Sequence, residues 1–323
     1  VIRRINRKFD AGRGVVTLDR PVISVGNLSV GGTGKTPMVM HVLRTLRDAN
    51  VRACVAMRGY AAVDGHSDEA DELSRAFPSV PIVVGSNRAT SLISFFGTRA
   101  GEGVDCVVLD DGFQHRQLAR QLDIALVDAT RDPFRDELLP AGWLREPVGS
   151  LRRAQAVVIT HAESVLASDS QSLRQRIVDL CPAAVVAICR HAWASLTIVE
   201  RGREREEAVH WLAGKRVVAA CAIGNPGPFL ESVRSVARGE VSSIVLRDHD
   251  PFGRSTLERV LRILRDARAE ALVVTEKDWS KLRRWPAETW PCPVARAKLG
   301  LTFDSGEGDL ARLIVGASQA VPE

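Results

Sequence analysis

Between Pro21 and Pro37 the chain reads P-V-I-S-V-G-N-L-S-V-G-G-T-G-K-T-P. Val22, Ile23 and Val25 read as the end of a buried strand. Gly31, Gly32 and Gly34 permit a backbone that wraps an anion, and Lys35 and Thr36 open a helix expected over 37–46. Strand, glycine loop, Gly-Lys-Thr and helix in that order form a phosphate-binding loop. The inward backbone N–H groups and the helix dipole hold a polyphosphate. Lys35 supplies a point charge for the β- and γ-phosphates, and the Thr36 hydroxyl is a ligand for Mg²⁺. The candidate cradle is therefore Ser29, Val30, Gly31, Gly32, Thr33, Gly34, Lys35 and Thr36. Ser29 stands where the usual pattern has its first glycine.

A second group of reactive residues follows the apolar run 104–109, which enters Asp110-Asp111-Gly112-Phe113-Gln114-His115-Arg116. Acids at the carboxyl end of a strand hold Mg²⁺ or its water in phosphoryl-transfer enzymes. Two adjacent carboxylates are costly without a cation nearby, so Asp110 and Asp111 are candidate metal ligands beside Thr36. His115 reads equally as a neighbour that fixes the turn. Arg145, in the irregular stretch 139–147, is either a phosphate contact or surface charge. Asp68, in the polar stretch 64–72, reads by itself as a solvated helix start.

The elements that must position these groups alternate. Strands are expected at 51–57, 80–84, 104–109, 124–127 and 156–160, with helices between several of them. That pattern predicts parallel βαβ units and an α/β fold, a doubly wound parallel sheet of the P-loop NTPase kind. Ligands of such sheets bind at the strands' carboxyl ends. Composition shifts near 191–210, where 195–200 reads as a connecting strand and 201–207 as a charge-dense turn. A second, smaller α/β domain follows, with strands at 216–222, 242–246 and 271–275 and helices from 228, over 255–267 and over 309–315. The expected division is 1–195 for ATP binding, 196–212 as linker strands, and 213–323 closing over the active site.

Length and composition agree with this division. A chain of 323 residues, 45% hydrophobic and 26% charged, suits a soluble protein of two domains. The net charge of +5 fits phosphorylated substrates or an anionic membrane surface. One tyrosine and 5% aromatics argue against base-stacking platforms and nucleic acid. The six cysteines lack any C-x-x-C spacing and read as reduced core residues rather than a zinc site or disulfide set. No run of 18 apolar residues is present, so no bilayer span is expected, nor a signal peptide. Arg3, Arg4, Arg7, Lys8 and Arg13 make a basic arm, read as a solvated segment in preference to a lipid contact. The chain opens at Val1 without Met, and an upstream segment is expected.

Among phosphate-loop proteins, a GTPase needs Asn/Thr-Lys-x-Asp to read its base. In Thr275-Glu276-Lys277-Asp278 the lysine falls one place late. No extra lysine lies early in the loop, as a ParA-like ATPase requires, and no further ABC or helicase motif is visible. A small-substrate kinase or ligase remains. The run 25–37 resembles the loop of the tetraacyldisaccharide 4′-kinases of lipid A synthesis, in which the first loop glycine is normally Ser or Thr. Arg58-Gly59-Tyr60, Asp110-Asp111-Gly112-Phe113-Gln114-His115, Leu139-Pro140-Ala141-Gly142, Ile223-Gly224-Asn225-Pro226 and Thr275-Glu276-Lys277-Asp278 resemble that family's motifs in the same order.

The resemblance implies a kinase that moves the ATP γ-phosphoryl group, with Mg²⁺, to the 4′-hydroxyl of a lipid A disaccharide 1-phosphate. Lys35 and Thr36 match its phosphate and Mg²⁺ residues, and Asp110 and Asp111 its acids. Asp68 matches its catalytic aspartate, Glu69 the following glutamate, and His249 the histidine paired with that aspartate. Ser67 departs from the family's glycine there, and Ala70-Asp71-Glu72 from its apolar residues. Arg88, Gln114, Arg145 and Glu146 resemble polar residues of its active site. The family also implies an N-terminal hydrophobic helix on the inner membrane, most of which is expected to precede Val1. The expected location is peripheral, on the cytoplasmic face of the bacterial inner membrane. Oligomeric state stays open. An aspartate near pKa 3.9 is a poor base, so Asp68 is expected to need His249 beside it, brought there by closure of the interdomain cleft. The alternative is a P-loop ATPase switch or binding protein without a small-molecule acceptor.

Overall fold

Apolar runs buried on both faces make the sheet of the first of two units. The computed structural model describes residues 9, 14–58, 68–224, 226–248 and 250–321, with the backbone alone at Asp68 and Glu69. One unit comprises Val1–His191 with Leu301–Glu323, the other Ala192–Gly300.

In the first unit β1 (Val22–Asn27) is buried at all six positions. Strands covered on both faces read as continuous rather than alternating apolar runs. Then come α1 (Lys35–Asp48), β2 (Ala53–Met57), α2 (Asp68–Ala76), β3 (Ile82–Val84), α3 (Arg88–Phe96), α4 (Arg99–Glu102), β4 (Cys106–Asp110), β5 (Leu122–Asp128), β6 (Ala156–Thr160), α5 (Ala167–Leu180) and β7 (Val185–Glu200). The strand order is β7-β6-β5-β1-β4-β2-β3, and the pairings are parallel. After β4 the chain crosses to the far side of β1 to lay down β5. That reversal leaves a crevice at the carboxyl ends of β4, β1 and β5, where open α/β sheets bind ligands. Helix α1 covers one face with Met38, Val42 and Leu46, a stripe at i, i+4 and i+8 spacing. Helix α3 starts cleanly because Asn87 accepts the Thr90 N–H, a side-chain N-cap.

The second unit holds β8 (Arg203–Glu207), β9 (Val217–Cys221), α6 (Gly227–Ala237), β10 (Val241–Val245), α7 (Arg254–Asp266), β11 (Ala271–Val274), α8 (Glu276–Leu282) and β12 (Val294–Ser305). Strands β10-β9-β11-β12 run parallel. The charge-dense stretch read as a turn is strand β8, antiparallel to the end of β7. Its charges pair across and along the hairpin: Arg205 bonds Glu200 at 2.8 Å and Glu207 at 3.0 Å.

The last helix, α9 (Glu307–Ser318), packs on the first unit. Leu310 and Ile314 share a buried cluster with Met38, Val42 and Leu46 of α1. The second domain expected over 213–323 does not keep its last segment: the chain re-enters the first unit at Leu301. The apolar stripe of α9 finds its partner in a helix roughly 270 positions earlier, a pairing that local pattern does not carry. Five of the six cysteines are buried, and all are free.

Candidate active site

The glycine loop is propped open from three sides. Gly31 (φ 113°) and Gly34 (φ 80°) take left-handed backbone, a region that glycine enters at little cost. Asn27 Nδ2 donates to Thr33 Oγ1 at 2.6 Å, and Thr160 Oγ1 donates to the Thr33 carbonyl at 3.1 Å. On the other flank the Val30 N–H donates to the Trp143 carbonyl at 2.9 Å, and the Arg145 N–H to that of Leu28 at 2.7 Å. Helix α1 then begins at Lys35 with no side-chain cap on its first amides. Those N–H groups are the ones a helix leaves for an external acceptor. A Cβ on Gly32 would meet nothing within 4 Å. Uncapped amides, two left-handed glycines, open space and Lys35 together fit a polyphosphate.

Strand β4 delivers the two acids to the same crevice. Asp110 is 5% exposed, and its Oδ1 accepts the Asp111 N–H at 2.9 Å. Asp111 has φ 48°, which turns the chain sharply after the strand. Arg145 Nη1 lies 2.9 Å from both oxygens of Asp111, Lys35 Nζ lies 3.8 Å from Oδ1, and Arg88 Nη1 donates to the Asp111 carbonyl at 3.2 Å. Gln114 joins in: its Nε2 donates to the Asn27 carbonyl at 2.8 Å, and its Oε1 accepts from Arg145 at 3.4 Å. Five of the residues singled out from sequence, Lys35, Arg88, Asp111, Gln114 and Arg145, are thus brought together. The oxygens of Thr36, Asp110 and Asp111 are the hard donors that Mg²⁺ prefers, so the residues present fit that ion.

Glu146 is 3% exposed and grips Arg153 through both oxygens, at 2.7 and 2.8 Å. Arg153 in turn lies 3.8 Å over the Phe113 ring and donates to the Phe113 carbonyl at 2.9 Å. Through that link Glu146 fixes the segment that follows Asp111. Arg120 does similar work from the other side, donating to the Gly112 carbonyl at 2.8 Å and to Asp123 at 3.2 Å. Burial, with the positive charges of Arg88, Arg120 and Arg58, pushes the His115 imidazole down to about 4. His115 is therefore neutral at physiological pH.

Sequence reasoning passed over Arg131, which stacks 4.1 Å over Trp143 and lies beside Gly31 of the loop. It also passed over His161, Glu163 and His191, whose ligating atoms lie within 4.8 Å of one another. The available signal was Thr160-His161-Ala162-Glu163 directly after the apolar run of β6, the same strand-end placement that marked Asp110. Asp68 is the first residue of α2. The side chains of Asp68 and Glu69 lie outside the described residues, as do His249, Gly59, Tyr60 and Asn225. In the second unit, Thr275-Glu276-Lys277-Asp278 is a helix cap. Thr275 Oγ1 accepts the Asp278 N–H at 3.1 Å and donates to its carboxylate at 2.6 Å. Asp278 also accepts the Ala222 N–H at 3.1 Å, tying α8 to the end of β9.

Comparison with known proteins points the same way. A family model described as tetraacyldisaccharide-1-P 4′-kinase matches residues 1–314. The tetraacyldisaccharide 4′-kinase of Syntrophus aciditrophicus is 35% identical over 295 residues, covering 83% of this chain and 76% of the relative. That of Geobacter sulfurreducens is 36% identical over 310 residues, covering 88% and 82%. Among solved structures, the "apo" form of LpxK from Aquifex aeolicus in complex with ATP superposes with a TM-score of 0.72 at 27% identity, covering 98% of this chain and 94% of that one.

Proposed function

The chain belongs to the tetraacyldisaccharide-1-P 4′-kinase family, and from that premise we infer that it transfers the γ-phosphoryl group of ATP to the 4′-hydroxyl of a tetraacyldisaccharide 1-phosphate in lipid A biosynthesis. The observation that carries this reading is the convergence of an uncapped helix start, Lys35, and the Asp110-Asp111 pair on one sheet edge. In the reaction the acceptor oxygen forms a bond to the γ-phosphorus, the bond from that phosphorus to the β,γ-bridging oxygen breaks, and ADP leaves. The hydroxyl proton passes to a base.

Each residue has an assigned part in this scheme. The amides of Gly31–Lys35 and the Lys35 ammonium bind the phosphates and disperse the charge that gathers on the leaving oxygen. Phosphoryl transfer has a loose transition state, so positioning and charge stabilisation matter more than a strong base. Thr36, Asp110 and Asp111 would hold Mg²⁺, which supplies further charge neutralisation when bound. Arg145 holds Asp111, and Gln114 and Arg88 hold the turn that carries it. Asp68 takes the acceptor proton, with His249 orienting it; both assignments rest on the sequence resemblance. A carboxylate that accepts a proton in the transition state typically contributes ~10²–10⁴ in rate.

We place the enzyme peripherally on the cytoplasmic face of the inner membrane, where its lipid acceptor is anchored. No helix among the described residues is long and apolar enough to cross a membrane, and the net charge of +5 favours an anionic surface. The test is transfer of label from γ-labelled ATP to tetraacyldisaccharide 1-phosphate in detergent, with the new phosphate located by NMR. A new monoester at the 4′ position is the expected product. Nucleotide hydrolysis indifferent to the glycolipid would instead identify an ATPase switch.

A further inference from the structure

Polar groups to which the kinase reaction gives no part gather beyond β5, at the carboxyl end of β6 and midway along β7. Thr160-His161-Ala162-Glu163 leaves β6 there, and His191 stands on the neighbouring strand. The His161 and His191 rings stack with centroids 4.3 Å apart and planes 26° apart. His161 has left-handed backbone, φ 56° and ψ 31°, and its Nδ1 lies 3.4 Å from Asp128 Oδ1 and 3.4 Å from Thr160 Oγ1. Its Nε2 is thereby left as the nitrogen for a ligand. Both ring nitrogens of His191 are buried without a hydrogen-bond partner. Its Nδ1 is 3.6 Å from Glu163 Oε1, within ion-pair range and longer than a hydrogen bond. Glu163 Oε2 accepts the His191 backbone N–H at 3.0 Å, which holds the carboxylate against the imidazole.

A buried ring nitrogen without a hydrogen-bond partner calls for a physical explanation, and an ion is one of the few available. We propose that His161, Glu163 and His191 form a binding site for a divalent transition-metal ion such as Zn²⁺ or Co²⁺, separate from the Mg²⁺ position at Thr36, Asp110 and Asp111. Two imidazoles and one carboxylate are a donor set that Zn²⁺ takes readily, with a further position left for water. Mg²⁺ prefers oxygen ligands. Asp128 plays the part of the outer carboxylate that fixes a ligating histidine's tautomer. Ligands about 2.0–2.2 Å from a tetrahedral Zn²⁺ are roughly 3.3 Å apart. The three present atoms, within 4.8 Å of one another, therefore need to draw in by about 1.5 Å at most, which side-chain rotation supplies. His191 Nε2 packs on Gly34, where an added Cβ would lie only 2.6 Å away, so Nδ1, on the Glu163 side, is the nitrogen left for the ion.

The experiment is a Co²⁺ titration of the tag-free, chelator-stripped full chain in excess Mg²⁺, read by visible absorption, with a Zn²⁺ thermal-shift series in parallel. One Co²⁺ per chain should give saturable d–d bands, and Zn²⁺ should raise Tm as any ligand of the folded state does. His191→Ala and Glu163→Gln should each weaken Co²⁺ at least ~10-fold, and Asp128→Asn by about 10-fold. Asp110→Asn should leave Co²⁺ binding in place. Pulsed electron paramagnetic resonance of the Cu²⁺-loaded wild type reads imidazole ligation directly, so the test survives any variant that fails to fold. No saturable Co²⁺ spectrum, a Cu²⁺ signal without imidazole nitrogen, or binding indifferent to His191→Ala and Glu163→Gln overturns the site.

Discussion

Arg145 Nη1 lies 2.9 Å from both carboxylate oxygens of Asp111, while Lys35 Nζ is 3.8 Å from the same group. Two cations therefore compete for one anion, and the nearer one is the arginine. By holding Asp111, Arg145 leaves the Lys35 ammonium available to a phosphate. Arg145→Ala should let Lys35 collapse onto Asp111 and raise KM for ATP about 10-fold, the size of an ordinary electrostatic coupling of 1–2 kcal/mol. Arg145→Lys should recover only part, since lysine keeps the charge but presents a compact, strongly hydrated ammonium in place of the guanidinium. Steady-state kinetics on the two variants decide it. Unchanged KM in Arg145→Ala would show that the pair has no part in nucleotide binding.

Gly26 sits near the carboxyl end of β1, and a Cβ there would lie 2.5 Å from the Phe113 nitrogen and 2.7 Å from its Cβ. Backbone cannot yield as a flexible side-chain tip can. Gly26→Ala should destabilise the fold by about 1–3 kcal/mol, the usual cost of overpacking, and urea unfolding measures it. Activity should fall as well, because Phe113 is two residues from Asp111. An unaltered unfolding midpoint would contradict this close approach.

His115 provides a pH test. Its pKa is pushed down to about 4 by burial and by the surrounding arginines, against about 6.5 in an unfolded chain. The unfolded state binds the proton first as pH falls, so stability declines from pH 6.5 down to about 4 and is flat outside that window. Discounted for solvent screening of a part-exposed ring, the contribution is on the order of 1–2 kcal/mol. Replacing the imidazole in His115→Gln should flatten the wild-type slope of unfolding free energy between those limits. An identical slope in both proteins would show that His115 titrates normally.

The strand–loop–helix at 21–46 and the acids after 104–109 were legible because local patterns encode them. An apolar run, three glycines and a charge each have a short-range cause. Strand β6 falls at 156–160 as read, and helix α7 begins at Arg254 where a start at 255 was expected. The rest depended on distant partners. The attachment of α9 to α1 and the meeting of His161 and Glu163 with His191 join residues far apart in the chain, and the Glu146–Arg153 pair lies in an irregular stretch, so periodicity reports none of them. Strand β8 was missed because Arg203–Glu207 is charged throughout, and its strand character comes from pairing with β7. The T-E-K-D run matched a motif in letters, and its visible work is to cap α8.

Asp68 and His249 were assigned as a unit by resemblance. Asp68→Ala and His249→Ala should each lower kcat by ~10²–10⁴. The double variant should lose little more than the worse single one, because groups that act together are non-additive. A double-mutant cycle on kcat measures this, and strictly additive losses would separate the two residues.

The central claim is that the Lys35 loop carries the transferred phosphate, and single-turnover transfer from γ-labelled ATP to tetraacyldisaccharide 1-phosphate by Lys35→Ala tests it most directly. The variant should fold as wild type does, since Lys35, at the first position of α1, belongs to no buried apolar cluster, yet transfer label at least ~10²-fold more slowly, as expected when a transition-state charge contact is removed. Full-rate transfer by a folded Lys35→Ala enzyme would contradict the account.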